Sequence, residues 1–351
     1  MTQAIPGRGT STNPPNRFER LNYEVPEPED DGEPNRPKTV FYRDRSRTII
    51  AHNDSPDVGF SASINPYRGC EHGCAYCYAR PYHEYLGLSS GIDFETKTFI
   101  KEDAPELLRA ELASKRWQPQ TLGISGITDA YQPIERHVEI TRRCLQVCLD
   151  LRNPVVIVTK NQLVARDIDV LKELTRYQAA AVFVSVTTLD ASLTRKLEPR
   201  ASQPEGRLAA IRALSEAGIP TGILAAPVIP GLTDHELPAI VQATAAAGAR
   251  WAGFVMLRLP FAVKDIFAQW LDTHFPEKKE RVLGRLRDMH GGKINDNRFG
   301  YRMTGEGPVA DAIRTMFQLA RKRAGMSRER IELSTASFRR LQEQPWLPFG
   351  E

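Results

Sequence analysis

The stretch from Asn65 to Arg80, NPYRGCEHGCAYCYAR, decides both the fold and the chemistry of this 351-residue chain. Three of the five cysteines lie in it, with the spacing Cys-x3-Cys-x2-Cys: Cys70, Cys74 and Cys77. Thiolates are soft ligands that select zinc, copper(I) or iron–sulfur clusters over hard cations. A structural zinc site is closed by four ligands, and no fourth cysteine is near. The spacing therefore predicts a metal centre with three protein thiolates, and a [4Fe–4S] cluster held in this way has one open iron.

Other interpretations of the cysteines stay open at this point. A zinc knuckle could use His72 or His83 as its fourth ligand, because short Cys/His clusters often bind zinc. The two other cysteines, Cys144 and Cys148, lie one helical turn apart on an apolar face. We expect them to pack in the core, since a free cysteine behaves as a small buried hydrophobe. An auxiliary metal or redox pair is the alternative for these two.

The composition is that of a globular protein, with 41% hydrophobic and 26% charged residues. No apolar run is long enough to predict a membrane span. The polar, proline-rich N-terminus lacks the apolar core of a signal peptide, and the clustered cysteines do not resemble a secreted disulfide framework. We therefore expect a cytoplasmic protein without a membrane partner. The net charge of +4 is too small to indicate a nucleic-acid partner by itself.

Strand-like and helix-like segments alternate from Phe60 onward. Six near-continuous apolar runs are typical of parallel strands that are covered on both faces. They span residues 60–65, 121–127, 154–160, 179–188, 221–229 and 251–259. Alternating strands and helices predict a parallel sheet. The fold class is therefore α/β, with a partial (β/α)6 TIM-like barrel at residues 59–290.

Helical patterns follow most of these strands. They span residues 103–117, with Asp103 as the expected N-cap, and 134–151, 163–177, a short stretch around Leu193, 204–217, 233–247 and 307–324. Residues 1–58 are rich in polar residues and proline, and we expect an extended arm that is disordered at its start.

Residues 291–351 are expected to form a small, basic, helical C-terminal extension that packs on the barrel. Residues 281–345 contain 14 Lys and Arg against 7 Asp and Glu. A solvated helical face explains this excess, and a surface that binds the backbone of DNA or RNA is the alternative.

Polar residues recur where the strands end. In parallel α/β sheets, ligands bind at the carboxyl ends of the strands. Polar residues at these ends are Thr128, Asp129, Tyr131, Gln132 and Glu135 after the second strand, Lys160 and Asn161 after the third, Ser185, Thr187 and Thr188 on the fourth, and Arg258 after the sixth. Their recurrence on the face that bears the cysteine loop predicts a binding site there. For Glu135, a helix cap is the favoured role.

The Cys-x3-Cys-x2-Cys motif has Tyr76 directly before its last cysteine and is followed by a predicted partial barrel. In this combination, residues 60–290 resemble the radical S-adenosylmethionine (radical SAM) superfamily. The CAYCYAR, TDAYQPIE and LEPRA segments resemble its spore photoproduct lyase-like branch, whose members are often labelled DNA repair photolyases. The resemblance implies that the three thiolates hold a [4Fe–4S] cluster and that SAM binds the fourth iron. It further implies one-electron cleavage of SAM to a 5′-deoxyadenosyl radical, which abstracts hydrogen from a substrate.

The resemblance also assigns SAM contacts. Tyr76 matches the aromatic position against the adenosyl group, and Thr128 and Asp129 fall near the methionyl end of SAM. Lys160 is placed to pair with the SAM carboxylate, and Ser185 lies near the ribose or carboxylate. Arg200 is an additional contact, and Ile229 with Gly231 backs the adenine. The usual Gly-Gly-Glu of the second strand is absent. A low-potential electron donor such as flavodoxin or ferredoxin is implied as a partner.

Tyr76 and Tyr78 match the paired tyrosines of the lyase and are the catalytic candidates. Tyr78 acts either in radical relay or simply by packing under the cysteine loop. The turn Ser125–Asp129 has no thiol, whereas the lyase has a cysteine there that resembles a hydrogen-atom donor to the substrate radical. Radical initiation is therefore expected, and photoproduct repair is not implied with it.

Three hypotheses for the function follow. The leading one is a radical SAM enzyme, in the lyase or transferase class, with DNA as the best single guess for its unidentified substrate. The second is radical SAM modification of RNA, a peptide or a small metabolite. The third, from another class, is a non-catalytic zinc or iron–sulfur binding protein.

Overall fold

The computed structural model describes residues 4–18 and 37–340 of the chain. Within these residues ten strands form, which we number along the chain: β1 Val40–Arg43, β2 Ile50–His52, β3 Ala62–Ile64, β4 Tyr67–Arg68, β5 Lys97–Ile100, β6 Leu122–Ile124, β7 Val155–Thr159, β8 Ala180–Ser185, β9 Thr221–Val228 and β10 Trp251–Met256. The expectations for residues 1–3, 19–36 and 341–351 lie outside the described part of the chain.

Eleven α-helices form in the same residues: α1 Ile92–Thr96, α2 Ala104–Ala113, α3 Glu135–Val138, α4 Ile140–Leu151, α5 Ile168–Thr175, α6 Ala191–Leu197, α7 Pro204–Glu216, α8 Leu237–Ala246, α9 Val263–His274, α10 Lys279–Met289 and α11 Gly307–Arg323. Four short 3-10 helices join them, at Arg80–Leu86, Gln162–Asp167, Asp234–Glu236 and Pro276–Lys278. No helix of the described residues is long and apolar enough to cross a membrane.

A seven-stranded sheet forms the centre of the fold. Its order is β10-β9-β8-β7-β6-β3-β2. In this sheet β10, β9, β8, β7, β6 and β3 pair in parallel with their neighbours. The edge strand β2 pairs antiparallel with β3. Each of the six strand-like segments of the sequence contains one of these parallel strands, in chain order. The α/β class and the partial (β/α)6 barrel are therefore confirmed.

The sequence explains why the central strands are buried. Every residue of β8 except Phe183 is buried, and β9 exposes little more. Both strands are covered on two faces, which a continuous apolar run satisfies and an alternating pattern would not. On the outer layer, α4 buries Ile140, Cys144 and Cys148 on one face. The two helical cysteines lie in the main core cluster, as expected.

Three helix predictions and one N-cap prediction differ in detail from the structure. The single helix expected over 134–151 is divided at Glu139, whose φ is 50°. The Glu135 carboxylate accepts hydrogen bonds from the backbone N–H groups of Thr141 and Arg142, so it caps the start of α4 as favoured above. The helices expected at 163–177 and 233–247 both begin as 3-10 helix, and the Asp103 side chain makes no capping hydrogen bond.

The N-terminal arm contributes structure of its own. β1 pairs in parallel with β5, β5 pairs antiparallel with β4, and β2 extends the main sheet. Residues 4–18 were expected to belong to a disordered start, but they lie against the cysteine loop and α1. The Asn13 side chain, for example, donates to the Asp93 carboxylate at 3.1 Å. Backbone and polar contacts hold this segment, which explains why hydrophobic patterning did not reveal it.

The C-terminal extension also contacts the barrel where it is described. The backbone N–H of Met256, at the end of β10, donates to the carbonyl of Met303 at 2.9 Å. Phe317 of α11 packs on Phe254 of β10, with ring centroids 4.8 Å apart. Farther along, Arg339 donates its backbone N–H to the Leu151 carbonyl at 2.9 Å.

Candidate active site

The three clustered cysteines lie in the loop that follows β3 and β4, at the carboxyl edge of the parallel sheet. Cys70 and Cys74 are buried, Cys77 is half-buried, and all three are free thiols. The loop is held by its backbone, since the Cys70 N–H donates to the Phe94 carbonyl and the Cys77 N–H to the Cys74 carbonyl. Burial raises the pKa of all three thiols. A bound cation would stabilise their thiolate forms.

A buried ion pair braces the loop from behind. Arg80 and Glu95 are both fully buried, and their side chains are 2.5 Å apart. The Arg80 guanidinium also donates two hydrogen bonds to the Cys74 carbonyl, at 2.9 and 3.0 Å. A buried pair of this kind is stable only when its further donors and acceptors are used. Here the remaining donors fix the backbone of a candidate metal ligand.

The N-terminal segment lies directly on the cysteine loop. The Gly9 N–H donates to the Glu95 carboxylate at 3.0 Å. A methyl group added at Gly9 would lie 1.7 Å from the Gly73 carbonyl oxygen, a distance that no real contact allows. Gly73 itself has a φ of 64°, a conformation that glycine adopts without strain. The two backbones can therefore touch because Gly9 has no side chain, while a side chain at Gly73 would instead meet the Glu95 carboxylate.

The turn after β6 also holds the cysteine loop. Gln132 is fully buried and accepts a hydrogen bond from the Glu71 N–H at 2.9 Å. Thr128, predicted near the methionyl end of SAM, is buried and donates to the Tyr67 carbonyl at 2.9 Å. The structure thus gives the Thr128 side chain a bracing contact beside the cysteines.

Asp129 joins this turn to the end of β7. Its carboxylate accepts hydrogen bonds from the Thr159 hydroxyl at 2.7 Å and from the Lys160 N–H at 2.8 Å. It also lies 3.4 Å from Nδ1 of His72. Burial lowers the pKa of His72 to about 4, so this imidazole is neutral near pH 7. Asp129 therefore fixes the position of the Lys160 backbone.

Lys160 places a cation beside Tyr76 of the cysteine loop. Its ammonium lies 5.9 Å from the centroid of the Tyr76 ring. Burial lowers the pKa of Lys160, but the neighbouring Cys74 and Glu198 raise it, and the net direction is upward. No described residue forms an ion pair or a hydrogen bond with the ammonium. Lys160 is thus charged, half-buried and open to an anionic ligand.

A buried polar network lies behind Tyr76. The Tyr76 hydroxyl donates to the Glu198 carboxylate, and the Thr187 hydroxyl donates to the same carboxylate at 2.8 Å. Arg207 completes the network with an ion pair to Glu198, and both residues are almost fully buried. Burial and the adjacent Glu198 raise the pKa of Tyr76, so the phenol stays protonated. The hydroxyl of Tyr76 is therefore committed to Glu198, and its ring forms one wall of the site.

The other residues assigned from the resemblance lie at different distances from this centre. Ser185 is buried at the end of β8, and Ile229 packs in the apolar cluster that contains Cys74 and Tyr76. Gly231 has a φ of 84° in the turn after β9. Arg200 instead pairs with Glu71 at 2.9 Å on the outer side of the cysteine loop, so its guanidinium is already used there.

Tyr78 lies at the open end of the barrel. Its side chain is 41% exposed, and its hydroxyl donates to the Gly126 carbonyl at 2.8 Å, just past the end of β6. The guanidinium carbon of Arg258, after β10, lies 5.6 Å from the centroid of its ring. Tyr78 therefore connects the cysteine loop with the ends of two strands that are far apart in the sheet order.

The described residues do not form a single-ion site around the cysteines. Among the described residues, no group of three or more His, Cys, Asp or Glu side chains is arranged to hold one metal ion. His72 is engaged by Asp129 and by the Asn161 amide at 3.3 Å, and His83 packs edge-on against Phe94, with ring centroids 5.6 Å apart. The zinc knuckle with either histidine therefore lacks support in the geometry.

Sequence reasoning missed several residues of the site. Glu198 lies inside the quoted LEPRA segment, but the contact was assigned to Arg200 instead. Arg207 and the Arg80–Glu95 pair were overlooked, because charged side chains in helices usually lie at the surface. A charged residue on an otherwise apolar helical face, such as Arg207 beside Ile211, was the available clue.

A family model and several known proteins match this chain. The family model "Radical SAM superfamily" matches residues 64–243. An uncharacterized protein of Mycobacterium tuberculosis is 34% identical over 233 residues, which cover 66% of this chain and 67% of that protein. A "Radical SAM Nalpha-GlyT isomerase" of Pseudomonas phage M6 is 26% identical over 203 residues, 57% of this chain and 40% of that one.

A solved structure has the same fold. A spore photoproduct lyase mutant with bound AdoMet and dinucleoside spore photoproduct superposes with a TM-score of 0.59 and 17% sequence identity. The match covers 82% of this chain and 80% of the lyase. At this identity the likeness concerns the fold, and the fold is the partial barrel predicted from the sequence.

Proposed function

The chain belongs to the radical SAM superfamily, and from this premise we propose that it uses a [4Fe–4S] cluster on Cys70, Cys74 and Cys77 to take hydrogen from DNA. It is a radical SAM enzyme, which uses SAM and an iron–sulfur cluster. When bound, these groups supply one-electron cleavage of SAM to a 5′-deoxyadenosyl radical that abstracts hydrogen. The observation that carries the proposal is the Lys160 ammonium beside the cysteine loop, which forms no ion pair or hydrogen bond with any described residue.

Each described residue has a defined part in this proposal. Lys160 binds the carboxylate of SAM, because a charge-assisted hydrogen bond is strong where water is partly excluded. Tyr76 lies against the adenosyl group, with its hydroxyl held by Glu198. Ser185 and Ile229 line the same side, while Thr128, Asp129 and Arg200 act through the backbone and loop contacts described above. Gly231 lets the chain turn after β9.

Tyr78 faces the substrate side of the site. Its partial exposure and its position next to Cys77 support a role in contact with the substrate or its radical. The turn Ser125–Asp129 has no cysteine, and the two cysteines outside the loop are fully buried in the core. The described site therefore has no cysteine that could donate a hydrogen atom from this turn. This argues against repair of a photoproduct by this chain, which the resemblance to the lyase would otherwise suggest.

Deuterium transfer tests the substrate. The reconstituted protein, dithionite in place of flavodoxin or ferredoxin, SAM and perdeuterated DNA are incubated without oxygen, and the 5′-deoxyadenosine is analysed by mass spectrometry. Deuterium in the 5′-deoxyadenosine supports DNA as the substrate. Unlabelled 5′-deoxyadenosine rules DNA out and turns the search to RNA, peptides and small metabolites. Loss of thymine photoproduct from UV-irradiated DNA would show that the absent thiol is dispensable for repair.

A further inference from the structure

We propose that Arg258 binds a phosphate group of a single-stranded nucleic-acid substrate at the mouth of the barrel. This inference rests on the proposed function, because it names the group that recognises the substrate of the same site. It concerns a residue at the end of β10 that none of the SAM contacts involves.

The Arg258 guanidinium is half-buried and has no acceptor. No described residue accepts a hydrogen bond from it, and its Nε atom is buried without any partner. An arginine stays charged in proteins, so this side chain cannot escape the cost of its unmet donors by losing a proton. Its neighbour Arg302 differs, since it donates to the Asp57 carboxylate at 2.5 Å and to the Ser55 hydroxyl. The contrast marks Arg258 as the cation that is kept for a ligand.

The surroundings of Arg258 favour an anion. Burial and the nearby Arg302 lower its pKa, so a negative group at this point would relieve an unfavourable environment. The guanidinium presents its donors as a planar fork, which matches the oxygens of a phosphate. A bound phosphate would supply the missing acceptors of Arg258 and offset the repulsion from Arg302.

Two exposed aromatic rings distinguish a nucleic acid from other anions. Tyr78 is 41% exposed, and its ring lies under the Arg258 guanidinium. Phe299 is 50% exposed, and its ring centroid lies 4.4 Å from the guanidinium carbon of Arg302. Aromatic faces beside arginines stack bases and hold phosphates in single-stranded nucleic acids. A peptide carboxylate would satisfy Arg258 alone and leave the rings unexplained.

The position suits the chemistry of the site. Tyr78 follows Cys77 directly, and its hydroxyl is fixed on the Gly126 carbonyl. A nucleotide whose phosphate is held by Arg258 would thus lie next to the cysteine loop. A phosphate contact positions the chain without reading its sequence, so Arg258 sets where the reacting nucleotide lies.

Binding to the apo protein tests this inference without any cluster or SAM. A fluorescein-labelled single-stranded DNA oligonucleotide is titrated by fluorescence anisotropy with wild type, Arg258→Met, Arg258→Lys and Arg116→Met. We expect Arg258→Met to raise Kd about tenfold or more, as the loss of a charge-assisted phosphate contact does. Arg258→Lys should recover part of the affinity, since it keeps the charge without the fork. The exposed Arg116, which has the same charge, should matter less than about twofold.

A salt series and a stability measurement separate binding from folding. The slope of log K against log salt should fall by about one in Arg258→Met. Urea unfolding should show a loss of about 1 kcal/mol or less in this variant, because the removed guanidinium makes no hydrogen bond or ion pair with a described residue and contacts the face of the exposed Tyr78 ring. Absence of oligonucleotide binding by wild type, or equal affinities of wild type and Arg258→Met, would overturn the inference. Failure of wild type to cleave SAM would instead overturn the proposed function and leave the binding result standing.

Discussion

The Lys160 ammonium lies 5.9 Å from the centroid of the Tyr76 ring, and it forms no ion pair or hydrogen bond with any described residue. We therefore expect Lys160→Met to weaken SAM binding to the reconstituted protein by about tenfold to a hundredfold, the value of a hydrogen bond to a charged group. Isothermal titration calorimetry measures the affinity. Lys172→Met is the control, because Lys172 is exposed on α5. Equal SAM affinities in the two variants would mean that Lys160 does not bind the carboxylate.

The Glu198–Arg207 pair should dominate the stability of the barrel interior near the site. Glu198→Ala leaves Arg207 charged and buried, so we expect the free energy of unfolding to fall by about 3–5 kcal/mol. Urea unfolding of the apo protein provides the measurement. Glu173→Ala removes an exposed partner of Arg176 and should cost less than about 1 kcal/mol. If the free energy of unfolding falls by the same small amount in both variants, the buried network stabilises the protein no more than a surface ion pair does.

Contact between Gly9 and Gly73 leaves no room for a side chain. Gly9→Ala should push the N-terminal segment off the cysteine loop and increase the rate at which a chelator removes iron from the reconstituted protein several-fold. Gly59→Ala is the matched control, because a methyl group there would meet open space. Identical rates of iron loss would show that residues 4–18 do not protect the loop.

Acid should destabilise the protein through buried histidines. Burial lowers the pKa of His83 from its ordinary value of 6.5 to about 4. The unfolded chain therefore binds a proton that the folded chain excludes, and stability falls as the pH drops from 7 toward 4. For His83 alone this is about 2 kcal/mol between pH 7 and pH 5. His83→Gln should reduce the slope of stability against pH, whereas the exposed His52→Gln should leave it as in wild type.

Much of the architecture could be predicted from local patterns. The six parallel strands were visible because each is an apolar run bounded by polar residues, and the cysteines were visible because their spacing is short. The position of residues 4–18 could not be predicted in this way, because contacts of glycine and polar residues over long sequence separations hold them. Glu198 was missed for a similar reason, because it meets Tyr76 only when residues 122 positions apart fold together. Arg200 was assigned to SAM from the segment that contains it, and its partner Glu71 became visible only in three dimensions.

Formation of 5′-deoxyadenosine tests the central claim most directly. The protein is reconstituted with iron and sulfide without oxygen, reduced with dithionite and mixed with SAM, and the products are separated by chromatography. The account predicts 5′-deoxyadenosine from wild type and none from Cys74→Ala, while Cys148→Ala, which changes a cysteine of the core, still forms it. Intact SAM beside a reduced [4Fe–4S] cluster in the wild-type protein would contradict the account.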